Sequence, residues 1–146
     1  MIKKFVQFNE SIKHLLVGPS EDEVWDKIKD LSWPDLLLKS SKNGILKGVK
    51  LAVKKGTNIH YMSDEPLWWV IHNNYFEVAK YLIENKAHIN VDDGYPIKHA
   101  CEIGDLDMVK FLLEQGADPH LRDGVYVKYA KQKGYDDIVQ LLYEWT

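Results

Sequence analysis

From residue 35 onward, apolar and polar positions alternate in blocks that recur every 30 residues. Gly44, Asn74, Gly104 and Gly134 open four related segments: GILKGVKLAVKKG, NYFEVAKYLIENK, GDLDMVKFLLEQG and GYDDIVQLLYEWT. Within them, apolar residues fall at matching offsets: Val49, Ala52 and Val53; Val78, Ala79, Leu82 and Ile83; Met108, Val109, Leu112 and Leu113; Ile138, Val139, Leu141 and Leu142. Spacings of one, three and four residues predict a helix with one apolar face. Upstream of each anchor lies a shorter segment, DLLLKSSKN, EPLWWVIHN, YPIKHACEI or VYVKYAKQK. Pro66 and Pro96 suit the first turn of a helix, where a missing N–H costs nothing. Leu67, Val70 and Ile71, then Ile97, Ala100 and Cys101, supply the inner stripe. Each unit therefore reads as short helix, tight turn, longer helix and polar loop. Two such helices cannot bury a core alone, so neighbouring units must stack.

The N-terminal residues do not share the repeat. Phe5, Phe8, Ile12, Leu15 and Leu16 predict one helical stripe, and VGPS interrupts the chain. Ser20 and Glu23 form a capping-box pattern ahead of Val24, Trp25, Ile28 and Leu31. Residues 1–34 are thus expected to be a helical cap over the first repeat. At the other end, Lys131 stands where Cys101 stood one unit earlier, a charge compatible only with a face on which no further repeat packs.

The unit YPIKHACEIGDLDMVKFLLEQGADPH, and more loosely EPLWWVIHNNYFEVAKYLIENKAHIN, resembles the ankyrin repeat, whose pattern runs T-P-L-H-x-A-A-x-x-G and later V-x-x-L-L-x-x-G-A-D-x-N. The resemblance covers residues 35–146 and implies an all-α, ankyrin-type solenoid of four units, 35–64, 65–94, 95–124 and 125–146, the last acting as a C-terminal cap. Its second-helix part is the specific one. Glu65, Tyr95 and Val125 replace the family's Thr, and Trp68, Lys98 and Lys128 replace its His, so the Thr–His hydrogen-bond network is not expected. Ankyrin repeats usually run about 33 residues. The shortfall falls between Gly116 and Val125, which predicts stubby loops in place of β-hairpin fingers. Such short units are similar to those of ankyrin proteins in giant DNA viruses and large phages.

Composition narrows the functional classes. The chain has 146 residues, 45% hydrophobic and 28% charged, which suits one globular domain and not a disordered segment. Apolar runs are too short to span a bilayer, and no signal-peptide pattern appears. Lys and Arg total 19 against 22 Asp and Glu, for a net charge of −3, so neither nucleic acid nor an anionic membrane is indicated as partner. The single cysteine, Cys101, allows no internal disulfide and favours an intracellular, cytoplasmic setting. It takes the family's alanine position and reads as a small buried hydrophobe.

Catalytic patterns are sparse. GILKGVK lacks the spacing of a phosphate-binding loop, and VDDGY has adjacent acids where a calcium loop alternates them. No catalytic residue, cofactor or metal ligand is assigned. His60 and His120 share a register position with Asn90, and His88 shares one with Asn58 and Asp118, so these histidines read as turn residues stamped out by the repeat. Lys47, Lys50 and Lys54 correspond to Glu77, Lys80 and Glu84, a solvated outer face of mixed sign.

What remains is the inner surface. The resemblance implies binding of an unidentified protein partner through the loops and the exposed side of each first helix. Carried over by register, the helix rows comprise Trp69, His99 and Tyr129; His72, Glu102 and Gln132; and Asn73, Ile103 and Lys133. The loop positions are Tyr61, Asp64, Asp92 and Arg122. Trp69, His99 and Tyr129 are expected to line up as an aromatic strip of the kind that anchors interfaces, with Trp68 and Trp69 alternatively packing on the N-terminal cap. The expected function is a monomeric, non-catalytic interaction module, and for viral-type repeats a host-interaction protein. The alternatives are a self-associating structural subunit, and a ligand-binding protein or enzyme with its site between cap and first repeat.

Overall fold

The computed structural model describes residues 20–145, the side chain of Arg122 excepted. The predicted helix bearing Phe5 to Leu16 lies outside the described residues. Those that are described form nine helices and no strand: α1 Glu21–Ile28, α2 Trp33–Lys42, α3 Leu46–Lys54, α4 Tyr61–His72, α5 Phe76–Glu84, α6 Val91–Ile103, α7 Leu106–Glu114, α8 Leu121–Lys133 and α9 Asp136–Glu144.

Each α-helix pair is one 30-residue unit. The first helices, α2, α4, α6 and α8, pack in series, and each also packs on the second helix of its own unit. The second helices form an outer row in which α3 meets α5 and α7 meets α9, with Phe76 of α5 edge-on to Phe111 of α7 at 5.9 Å. One continuous core results, built from the predicted stripes: Leu67, Val70, Ile97, Ala100, Cys101, Leu82, Val109 and Leu112 are all essentially inaccessible. The resulting architecture is a helical repeat stack.

The capping box is present, with Ser20 Oγ accepting from Glu23 N–H at 3.3 Å and Ser20 N–H donating to Glu23 Oε2 at 2.8 Å. Ser32 caps α2, which carries Pro34 in its first turn and so begins at Trp33, across the expected cap boundary at residue 34. The contact between α1 and the repeats depends on size. Gly48 stands where later units have Val78, Met108 and Ile138, and a Cβ there would overlap the Ser40 side chain of α2 and meet Trp25 of α1 at 3.1 Å. Ser40 and Trp25 share the space that the small residue leaves, and Lys47 lies over the Trp25 ring at 5.0 Å while pairing with Asp22 at 3.2 Å.

The turn between the helices of a unit explains its anchor residues. Gly44, Asn74, Gly104 and Gly134 all have left-handed backbones, with φ from 59° to 79°. At Gly44 and Gly104 space is a second constraint, because a Cβ would meet the rings of Tyr75 and Tyr135 at 2.7 and 2.6 Å. At the intervening junction the register places the smaller Asp105, and Asn74 is accommodated.

The missing finger residues are compensated by backbone geometry. Met62, Ser63 and Asp64 form a left-handed turn, as do Asp92, Asp93 and Gly94, and Asp123 and Gly124 continue the pattern in the next unit. These turns merge with the start of α4, α6 and α8. The right-handed part of α4 begins at Glu65, which puts Pro66 in its first turn as the sequence predicts.

The turns after the second helices carry Gly56, Lys86 and Gly116 at φ of 81°, 76° and 95°. Lys86 alone of the three has a Cβ in a conformation that L-residues avoid. The glycine equivalents have open space around them, so Lys86→Gly is expected to raise stability by about 0.5–1 kcal/mol, after glycine's greater chain entropy is subtracted. An increase in urea midpoint at constant m-value would show it.

Candidate functional site

The T-P-L-H positions that depart from the ankyrin pattern are where the aromatic residues meet. Trp68, in the family's His place, stacks on Tyr95, in the Thr place of the next unit, with centroids 5.6 Å apart and planes 13° from parallel. His72 stacks on the same indole at 4.6 Å and shares a hydrogen bond with the Tyr95 hydroxyl at 3.1 Å. His99 lies 5.6 Å from Tyr95 and 6.3 Å from His72. Trp69 meets Trp68 edge-on at 5.0 Å and carries Lys42 Nζ 4.5 Å above its ring. Five rings thus form one network across two units, held by stacking and by the bond between the His72 ring and the Tyr95 hydroxyl.

This arrangement alters the expected strip. Trp69, His72 and His99 belong to the network, but the links between them run through Trp68 and Tyr95. Tyr129 stands apart from it: its described ring partner is Lys98, at 5.9 Å. Among the described residues, the ring partners of the two tryptophans outside α4 are Lys42 of α2 and Tyr95 of α6. A signal was available in the sequence, since the residues that break the family motif, Trp68 and Tyr95, sit opposite each other across a unit boundary.

The other predicted positions divide by exposure. Ile103 is 42% exposed, and His72, Gln132, Lys133 and Asp92 are exposed. Glu102 is half-buried and pairs with Lys98 at 3.6 Å. Asn73 is engaged locally, its amide donating to the Trp69 carbonyl at 3.0 Å. Tyr61 packs against the core. Arg122's side chain lies outside the described residues.

Asp64, carried over as a loop position, is buried. His60 Nδ1 lies 2.6 Å from one of its carboxylate oxygens and His88 Nδ1 lies 2.9 Å from the other. The two imidazoles stack at 3.9 Å. Burial alone would raise the Asp64 pKa, but the hydrogen bonds and charge of His60 and His88 outweigh it and hold the carboxyl below its ordinary value. His60 and His88 are therefore more than repeat punctuation. By contrast, the His120 N–H donates to Asp118 Oδ1 at 2.8 Å, the local turn bond its register suggested.

Between the left-handed turn of α4 and the start of α6 lies a groove of about 660 Å³. Met62, Trp68, Trp69 and Val91 give it an apolar floor, and Glu65 and Asp92 bring carboxylates to its edge. Met62 is 53% exposed. Cys101 is fully buried, and that burial, assisted by the charge of Glu102, pushes its thiol up to about 12.

His99 makes stability pH-dependent. Burial is the main cause that lowers its pKa, His72 and Lys98 add to it, and Glu102 opposes them. The folded state then binds fewer protons than the unfolded chain as pH falls below the ordinary histidine value of about 6.5, so stability declines with falling pH over that interval. His99→Gln, which keeps a group able to bond Asn74, is expected to lose less than the wild type between pH 7.5 and pH 5.5 in paired urea titrations. Equal losses would discount the role of His99.

Stacked helix pairs of fixed period define this chain as a helical repeat protein. Residues 36–123, more than half of the chain, match the family model for ankyrin repeats (3 copies). The chain belongs to the ankyrin repeat family, whose members are generally protein–protein interaction modules and typically non-catalytic. A search of curated proteins finds no match. No helix among the described residues is long and apolar enough to cross a membrane.

Proposed function

We propose that the chain is a non-catalytic interaction module that receives a partner protein in the groove beneath the α4 turn. The observation that carries this reading is the apolar floor of Met62, Trp68 and Trp69 with Glu65 and Asp92 at its edge. Large, rigid aromatic surfaces bury much area at small entropic cost, and tryptophan is enriched among residues that dominate binding energy. A segment that fits would place an apolar side chain on the tryptophans and a Lys or Arg beside the carboxylates. His72 and His99 extend the surface toward Glu102, and Gln132 and Lys133 give the last unit a different polarity. The similarity to viral-type repeats would make that partner a host protein.

Two steps test the proposal. A partner recovered with the wild-type chain is identified and reduced to its binding segment, and its affinity is then measured by calorimetry. Trp69→Ala is expected to weaken binding by about 2 kcal/mol, roughly 30-fold, with an unchanged circular-dichroism spectrum. Lys110→Ala, on the outer row, should change affinity less than twofold. Wild-type affinity in both Trp69→Ala and Met62→Ala would place the interface elsewhere.

Self-association is the second reading, and a different surface favours it. At the α8–α9 end, Val127, Leu142 and Tyr143 line a hollow of about 550 Å³, and Tyr143 is 62% exposed. Sedimentation that shows a single mass across a wide concentration range would remove it.

A further inference from the structure

The cluster of His60, Asp64 and His88 differs from the next unit at three register positions at once. One unit later the same positions hold Asn90, Gly94 and Asp118, and there the junction is held by a simpler bond, Asn90 Oδ1 accepting from Asp118 N–H at 3.1 Å. The departure at residue 64 has a conformational cost. Its backbone is left-handed, with φ of 65°, where Gly94 and Gly124 adopt 79° and 72° without a Cβ. A carboxylate has been placed where the fold would prefer glycine, and both of its oxygens are engaged by imidazole nitrogens from neighbouring units.

We propose that His60 Nδ1, Asp64 and His88 Nδ1 form a binding site for a divalent transition-metal ion of the zinc class. Among the described residues these ligand atoms all lie within 4.8 Å of one another. Two imidazoles and one carboxylate are a donor set that suits zinc, cobalt or nickel, whereas magnesium and calcium favour all-oxygen sites. Three protein ligands leave one tetrahedral position for water or for a group brought by a partner.

Metal binding requires a local rearrangement. Zinc–nitrogen bonds of about 2.0–2.1 Å and zinc–oxygen bonds of about 2.0–2.2 Å put tetrahedral ligand atoms roughly 3.3 Å apart. The imidazole nitrogens now lie 2.6 and 2.9 Å from different oxygens of the carboxylate, so the rings must draw back and the carboxylate must turn to present one oxygen to the ion. The His88 side chain is 66% exposed and has room to do so. In the ion-free form, Nδ1–H groups of neutral rings can donate to the carboxylate. On metal binding each such ring moves its proton to Nε2, leaving the Nδ1 lone pair for the ion, with no oxidant or further reactant needed. Because His60 and Asp64 lie in one loop and His88 in the next, the ion would tie adjacent units together at the groove's edge.

The full chain, stripped of metal with a chelator and dialysed, is titrated with Zn(II) by calorimetry and with Co(II) by visible absorption. The wild type should bind one ion, show the intense visible bands of tetrahedral cobalt, and melt at a higher temperature with zinc. Asp64→Gly and His88→Asn install residue types that the repeat already accepts at these positions, Gly94 and Asn58. Each should weaken zinc binding at least about 100-fold, since disturbing even the hydrogen-bond partner of a ligand costs about 10–100-fold. His120→Asn, outside the cluster, should bind as the wild type does. If the wild type takes up no zinc, or Asp64→Gly and His88→Asn both retain wild-type affinity while folded, the cluster is a hydrogen-bonded clamp and the metal assignment fails. Neither outcome bears on partner binding by Trp69, which is measured with the metal removed.

Discussion

Tyr126→Ala is expected to lower the unfolding free energy by about 3–5 kcal/mol, the range for deleting a large buried ring. Tyr126 is the largest fully inaccessible side chain among the described residues. It occupies the register of Pro66 and Pro96, yet its hydroxyl donates to the Asp93 carbonyl of the preceding unit at 2.9 Å. Its oxygen also sits where a Cβ on Gly94 would be, so ring and left-handed turn fit together. Removing the ring leaves a cavity between α6 and α8 and frees the turn of residues 92–94. Tyr126→Phe separates the two contributions, because it keeps the packing and removes the hydroxyl, for about 1 kcal/mol. Urea denaturation of both variants measures them. A loss under 1.5 kcal/mol for the alanine variant would mean that the last unit contributes little to the cooperative core.

Leu82→Ala should cost about 3–4 kcal/mol, near the middle of the range for buried leucine truncation. Leu82 of α5 is fully inaccessible and lies in register with Leu112 and Leu142. The first unit has Ala52 at this position, also fully buried, which shows that alanine there is compatible with the fold when surrounding residues are matched to it. In α5 they are matched to leucine. Stacked repeats gain stability from nearest-neighbour interfaces, so a cavity in an interior unit weakens contacts on both sides. Leu142→Ala, in the last described unit, is the informative comparison and should cost less. Equal losses would argue that the stack unfolds as one unit regardless of position.

The helices, their inner stripes and the capping box were legible because each rests on local chemistry. Period-3.6 apolar spacing, Ser20 with Glu23, and Pro66 or Pro96 in a first turn all operate within a few residues of chain. The absence of hairpin fingers among the described units could likewise be anticipated from the shortened period. The ring contacts were less legible. Register placed Trp69, His99 and Tyr129 in one row, but side-chain direction, not row membership, decides which rings touch. Trp68 and Tyr95 join the network and Tyr129 does not. Register also made His60 and His88 look like interchangeable turn residues, because each position taken alone also accepts Asn, as at Asn90 and Asn58. Their meaning comes from the combination with Asp64, whose partners are 4 and 24 residues away.

By itself, then, the sequence determined the unit, its period, its buried face and its family, since these follow from patterns that every repeat must satisfy to stack. Only the tertiary structure decided how one unit's departures meet those of the next. The distance between Trp68 and Tyr95, and the convergence of His60 and His88 on a buried Asp64, depend on the rotation between neighbouring helix pairs and on left-handed turns that bring distant positions together. Those quantities are set by packing across unit boundaries, where residues close in space are far apart along the chain.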